Sequence, residues 1–518
     1  MDVSRRRLLA VGGGLGAAAL LAGCGGGADG APARGGANDR PRTGGVLRVG
    51  ALGRPNAITR DPHGTQTNES DYLILALLFD TLTVPGGSGA VTAPRLATRW
   101  EPSEDLRTWR FTLAQGARFH DGSPVTAEDV VWSLKRLRAT PAGASRLPGI
   151  RAEGIRADGP DTVVLVSDHP NAELPLLTRL TTFVLKKDTR DADLVKGNGT
   201  GPFKLEWFRD GNARLVRNDH WHGGRPHLDA IEVKIFATPQ AMANALLGGQ
   251  IDVASNVGPV AARVAGSRRD IQTVRRPGDM AMPVVMRTAD GPFADPRVRE
   301  ALRLAVDRKA MVDQVLSGYG QVGNDILGTA DPAYLGSAVP QRARDLARAK
   351  ALLAEAEFDT NATYELFTTE DIAGLAESAT LFATQVREAG VNVKVVKQES
   401  AAFWDRTWLK APLYTTYWGT NDSVLFLASK TMLPDAGQNE AGWKDEDFDT
   451  AYRAATGERD AARRRAALAE VQKIQHERSG YLLWGVADGI DLAGPKVRGL
   501  PKLPGYGRVQ LERAWLAS

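Results

Sequence analysis

The 518-residue chain contains a single cysteine, Cys24. A disulfide needs two thiols and a thiolate zinc site needs more, so the globular part has to hold together without covalent or cysteine–metal cross-links. A chain this long exceeds one simple core and is expected to divide into two or three lobes. The formal net charge is only +4, and the first 23 residues, with three Arg and one Asp, carry +2 of it. The rest of the chain has no concentrated basic patch, so no nucleic-acid partner is expected.

The position of Cys24 is informative too. Ser4-Arg5-Arg6-Arg7-Leu8-Leu9 opens a positive stretch, an apolar glycine-rich run extends from Leu8 to Gly23, and Leu21-Ala22-Gly23-Cys24 closes it. This is the pattern of a signal peptide over residues 1–24. The apolar run is too short and too rich in Gly and Ala for a membrane span. The Arg pair after Ser4 resembles a twin-arginine export signal. The Leu-Ala-Gly-Cys ending resembles a bacterial lipobox, which implies acylation of Cys24 and anchoring to the outer face of the cell membrane, outside the cytoplasm. Residues 25–44, rich in Gly, Ala, Pro and Arg and without periodicity, read as a flexible tether.

The globular part mixes strands and helices. Gly45–Gly50 alternates as a strand, residues 71–79 read as an apolar helix, and Trp109–Ala114 and Thr162–Val166 read as strands. Thr126-Ala127-Glu128-Asp129 has the form of a capping box. Strands follow at Ala213–Arg217 and Ile231–Phe236, and a helix at Gln240–Leu247. Asp295-Pro296 opens a helix whose stripe runs from Val298 through Leu302, Ala305 and Val312 to Leu316. Helices are also expected at 346–356, 375–389 and 461–478, with strands at 391–395 and Tyr481–Val486. The fold class is α/β or α+β with more than one lobe.

Signatures of catalysis are missing: the chain has no P-loop, no H-E-x-x-H and no G-x-S-x-G. The G-x-G-x-x-G at Gly318–Gly323 follows a helix instead of a strand and reads as a loop. The histidines in His220-Trp221-His222-Gly223-Gly224-Arg225-Pro226-His227 lack a carboxylate at ligand spacing, and the segment reads as a turn. No metal, cofactor or catalytic residue is assigned.

A longer pattern supplies the positive identification. It begins with Leu96-Ala97-Thr98-Arg99-Trp100-Glu101, Trp109 and Phe111, and continues with Phe119-His120-Asp121-Gly122-Ser123-Pro124-Val125-Thr126-Ala127-Glu128-Asp129-Val130. Gly199-Thr200-Gly201-Pro202-Phe203, Val216-Arg217-Asn218 with Trp221, Gly249-Gln250-Ile251-Asp252 and Asp295-Pro296-Arg297-Val298-Arg299-Glu300-Ala301-Leu302 follow in order. This series is similar to family 5 of the bacterial extracellular solute-binding proteins, the oligopeptide-, dipeptide- and nickel-binding group. The resemblance runs from about residue 44 to the C-terminus.

The resemblance implies an α/β, two-lobed periplasmic-binding-protein-like fold (type II, cluster C) with an extra domain inserted in the first lobe. Lobe I would be 44–79, 200–286 and 486–518, the inserted domain 80–199, and lobe II 287–485. It also implies a monomer that closes on a peptide-like ligand and delivers it to ABC permease subunits with cytoplasmic ATPases. In peptide binders of the family, an aspartate three residues after a tryptophan pairs with the peptide's amino group. In Tyr417-Trp418-Gly419-Thr420-Asn421-Asp422 that position holds Asn421. Asp422 is then either the amine partner or a turn residue. Trp404, Trp408 and Trp418 are candidates for the cleft wall or for the core. Asn56 and His63 fall where the family's first loop reaches the cleft, and Arg287 falls at a site edge where it could take a ligand carboxylate. A metal chelate, sugar or opine-like ligand is the alternative within the binding class; a secreted hydrolase and a sensory receptor are the readings outside it.

Overall fold

The computed structural model describes residues 40–518 except 55–58, 67, 88–91, 141–142, 266, 421 and 506–508. The signal peptide, Cys24 and most of the tether, together with Asn56 and Asn421, lie outside the described residues. Pro41–Ser518 forms one unit, to which everything below refers.

Local signals become elements by identifiable contacts. Thr126 and Asp129 form a complete capping box at the start of the helix Ala127–Arg138, with Thr126 N–H donating to Asp129 Oδ2 at 2.8 Å. Asp295 caps Pro296–Ala305 through Arg297 N–H at 2.7 Å. The single stripe expected from Val298 to Leu316 is broken: the first helix ends at Ala305, Asp307 caps a second one, Arg308–Val315, and its carboxylate accepts from Ala310 N–H at 2.9 Å. An aspartate competes with the helix backbone for hydrogen bonds, so a periodic stripe alone does not keep a helix continuous through it. Gly318–Gly323 is more than a loop. Gly320–Val322 is a short strand antiparallel to Tyr481–Ala493, and side chains on Gly320 or Gly323 would collide with the backbone of that partner. The glycines serve backbone approach, not a nucleotide.

The largest sheet has the order Asn392–Gln398, Thr363–Thr369, Leu413–Thr415, Gln272–Met286, Tyr481–Ala493, Val253–Ala254, Val46–Leu52, Ala230–Phe236, Asn212–Arg217, Phe203–Arg209. Gln272–Met286 and Tyr481–Ala493 are its long central pair. Gln272–Arg276 pairs with Gly489–Ala493 and Met280–Val285 pairs with Tyr481–Ala487, with a register break between the two stretches. On one side Val46–Leu52 is parallel to Ala230–Phe236 and to Val253–Ala254. On the other, Thr363–Thr369 is parallel to Asn392–Gln398 and to Leu413–Thr415. A separate antiparallel sheet, ordered Ala97–Pro102, Thr108–Leu113, Thr162–Ser167, Ile150–Ala157, packs the helix Ala127–Arg138 over its own core of Trp109, Phe111, Phe119 and Leu134. The strand expected at Tyr481–Val486 continues to Ala493 and is buried along its whole length.

One buried charge cluster ties the helices Pro296–Ala305 and Arg308–Val315 to the central pair. Asp325 is fully buried and accepts from Arg308 Nη2 at 2.9 and 3.2 Å, Arg342 Nε at 3.2 Å and Leu483 N–H at 2.9 Å. Burial alone would raise its carboxyl, but Arg308, Arg303 and Arg342 outweigh that and hold it below the usual aspartate range. The stability it contributes is therefore present above the ordinary aspartate pKa and is lost as pH falls through the lowered one. Removing one partner of such a cluster strands the others in the interior. Asp325→Ala is expected to cost about 3–5 kcal/mol in urea unfolding; a loss below about 1 kcal/mol, typical of an exposed pair, would show that the cluster does not hold these elements together.

Candidate ligand-binding site

Parallel strands end together, and the segments leaving their carboxyl ends line a crevice. In the second lobe these segments carry Asp371, Trp404 and Tyr417, after strands ending at Thr369, Gln398 and Thr415. Trp404 Nε1–H donates to Asp371 Oδ2 at 2.9 Å, and Ser400 Oγ donates to the same oxygen at 2.5 Å. The Trp404 ring meets Trp408 and Tyr417 edge to face, with centroids 5.7 and 5.8 Å away. This is the favoured geometry of aromatic pairs. Tyr417 is 37% exposed, which makes it the open face of the group.

Behind this wall lies Glu440, fully buried. Its Oε1 accepts from Trp408 Nε1–H at 2.5 Å and Thr416 Oγ1 at 2.9 Å, and its Oε2 from Trp418 Nε1–H at 2.8 Å and the Tyr481 hydroxyl at 2.9 Å. Burial raises the carboxyl above the usual glutamate range, and the four donors oppose the rise. Charge-assisted hydrogen bonds of this kind orient their donors strongly. The two indoles are thus fixed by one carboxylate: Trp408 and Trp418 point their Nε1 edges inward, pack against a hydrophobic core and are each only partly exposed.

The first-lobe side is polar. Asn256, at φ 54° after the strand Val253–Ala254, donates from its N–H to Asp491 Oδ1 and from its side chain to Glu69 Oε1, both at 2.8 Å. Asp491 also pairs with Arg276, which is fully buried.

Three of the residues singled out in the sequence sit elsewhere or are engaged. Arg287 lies at the far end of Gln272–Met286, seven residues from the Met280 that pairs with Gly419, roughly 23 Å along an extended strand. It forms a two-pronged pair with Asp290, at 2.9 and 3.2 Å, and does not join Trp418. His63 is 1% exposed; its Nε2 meets Phe183 O at 2.8 Å and its Nδ1 meets Arg136 Nη1 at 3.0 Å. These partners require the neutral ring protonated on Nε2. Burial, with Arg136 nearby, pushes its pKa down to about 4, so His63 holds the first loop. Asp422 is buried against Arg179. Sequence reasoning missed Glu440, Arg179, Glu69 and Asn256. Each acts through partners far along the chain, and none stands in a local motif.

The family model for bacterial extracellular solute-binding proteins, family 5 (middle), matches residues 92–437, well over half of the chain. The chain belongs to this family. A probable di/tripeptide-binding protein of Pseudomonas aeruginosa is 25% identical over 489 residues, covering 87% of this chain and 91% of the relative. The structure of the binding protein DppA from Helicobacter pylori in complex with peptide STSA superposes with a TM-score of 0.77 at 23% identity, over 92% of this chain and 99% of that one. The binding protein AgaA from A. tumefaciens R10 in complex with agropinic acid gives 0.78 at 22% identity, over 92% and 99%. This family 5 protein therefore has the two-lobed type II periplasmic-binding-protein fold.

Glu440→Gln replaces an acceptor by a donor that faces other donors. It is expected to cost roughly 1–3 kcal/mol and to shift tryptophan emission to longer wavelength as the Trp408 and Trp418 indoles lose their anchor. Unchanged stability together with unchanged emission would show that Glu440 does not position them.

Proposed function

We propose that this protein is the solute receptor of an ABC importer and that its ligand is a short peptide or a peptide-like compound. The observation that carries this reading is the match to a di/tripeptide-binding relative along nearly the whole of both chains. The local structure supports it. Trp418–Gly419 pairs with Met280–Ala281 on one edge, and among the described residues no strand pairs with its other edge. A peptide added there would gain main-chain hydrogen bonds whatever its side chains. The aromatic wall of Trp404, Trp408 and Tyr417 beside it would take an apolar or flat side chain.

The lobes of this reading are 44–79, 200–286 and 486–518 for the first, with 80–199 inserted, and 287–485 for the second. In this division the two long paired strands 272–286 and 481–493 lie at the junctions between the lobes. Acylation at Cys24, export by the twin-arginine route, a tether over 25–44 and a monomeric state complete the proposal. Tethering would keep the receptor concentrated beside its permease partners. The engagement of Asp422 by Arg179 favours a second reading, a ligand without a free amino group such as an opine-like acid.

Mass spectrometry of ligand released from protein purified out of its native host's export compartment separates the two. A ladder of short peptides is expected. A single defined non-peptide compound would overturn the peptide reading.

A further inference from the structure

The segment Ala172–Arg179, which follows the strand Thr162–Ser167, meets three second-lobe elements at once. Arg179 pairs with Asp422, their side chains 1% and 11% exposed. Glu173 pairs with Arg464 and accepts from Ser423 Oγ. Ala172 N–H donates to Thr456 O at 2.9 Å. Ser423 meanwhile caps the helix Val424–Thr431 through Phe426 N–H at 3.0 Å, and Phe426 packs against the core of the Ala97–Ser167 sheet. Lys430 stands 3.9 Å over the Phe426 ring. Two ion pairs, a main-chain hydrogen bond and an inserted aromatic side chain thus lie across the same junction, and the acids alternate sides: Glu173 on one, Asp422 on the other.

We propose that Arg179–Asp422 and Glu173–Arg464 form a clasp between the 80–199 region and the second lobe whose charges must be matched for the protein to close, and that Asp422 serves this clasp and not the amino group of a ligand. The inference rests on the reading of the chain as a closing solute receptor. The physics gives it a distinctive signature. Charges taken out of water regain their hydration when the junction opens, so an intact pair shifts the equilibrium little. Removing one partner strips the other of this counter-charge in the closed form, where water does not replace it, which penalises closure specifically. Replacing both with apolar side chains removes the penalty. Apparent ligand affinity follows the closed population even though neither residue touches the ligand.

The test uses the full chain, with amide exchange of Ala172 as a ligand-free readout and binding of dialanine to tetraalanine as the second. In Arg179→Met or Asp422→Ala, exchange at Ala172 is expected to accelerate by roughly tenfold or more, with peptide binding weakened by a similar factor. Core amides such as Leu165 and Leu482 should keep their protection, which excludes general unfolding. The double variant Arg179→Met/Asp422→Leu should return both readouts to within about threefold of the parent. Loss of peptide binding in Asp422→Ala with unchanged exchange at Ala172, or a double variant no better than the singles, would overturn the clasp and return Asp422 to the ligand. If none of these peptides binds the parent protein, the peptide reading fails on its own and the exchange results alone decide the clasp.

Discussion

Where Gln272–Met286 pairs with Tyr481–Ala493, Pro277, Gly278 and Asp279 stand opposite the single residue Asp488. Such a bulge bends a strand and increases its local twist. Here it falls between the Gln272–Arg276 and Met280–Val285 stretches of the ladder, with parallel strands added to the sheet on either side of the pair. Its shape is held from all sides. Gly278 adopts φ 68° and donates to Asp488 Oδ1 at 3.0 Å, while Arg275 pairs with the other oxygen. Thr420 donates to Gly278 O, and Gly505 N–H donates to Asp279. The second-lobe segment that carries Trp418 and the C-terminal segment are thereby fastened to the same bend.

The site inherits this arrangement. Carboxyl ends of parallel strands open towards the bend from both lobes, one bringing Asn256, Glu69 and Asp491, the other Asp371, Trp404 and Tyr417. The two sides differ in chemistry: a polar, hydrogen-bonded floor against a wall of rings set by Glu440. A ligand contacting both sides gains only when they approach, which is the differential contact a population shift requires. The clasp at Arg179 and Glu173 acts at a third place, so closure depends on junctions remote from the ligand as well as on the ligand itself.

Much of the fold was legible because it is written in short-range chemistry. Asp295-Pro296 and Thr126 to Asp129 are caps by residue type alone, and the helix Ala461–Arg478 falls where the sequence places it. The misreadings have different causes. Ala487-Asp488-Gly489-Ile490-Asp491 has the composition of a turn, yet it is buried strand, because Arg275 and Arg276 neutralise its acids. The stripe beyond Ala305 looked continuous, yet Asp307 restarts the helix. At the site, the aromatic residues around 404–418 were visible as a cluster, but their roles depend on Glu440, Asp371 and Arg179, whose proximity only the tertiary fold creates. The resemblance to the family located the segment and could not say which acid in it is already paired.

Binding of solute is proposed to close the two lobes about the bulged strand pair. Spin labels on cysteines introduced at exposed Arg209 in the first lobe and exposed Arg387 in the second, with Cys24 replaced, report that distance by electron–electron resonance. Addition of the solute recovered from the native protein is expected to shift the distribution to shorter distances and narrow it. Tight binding with an unchanged distribution would contradict closure and leave a rigid receptor in its place.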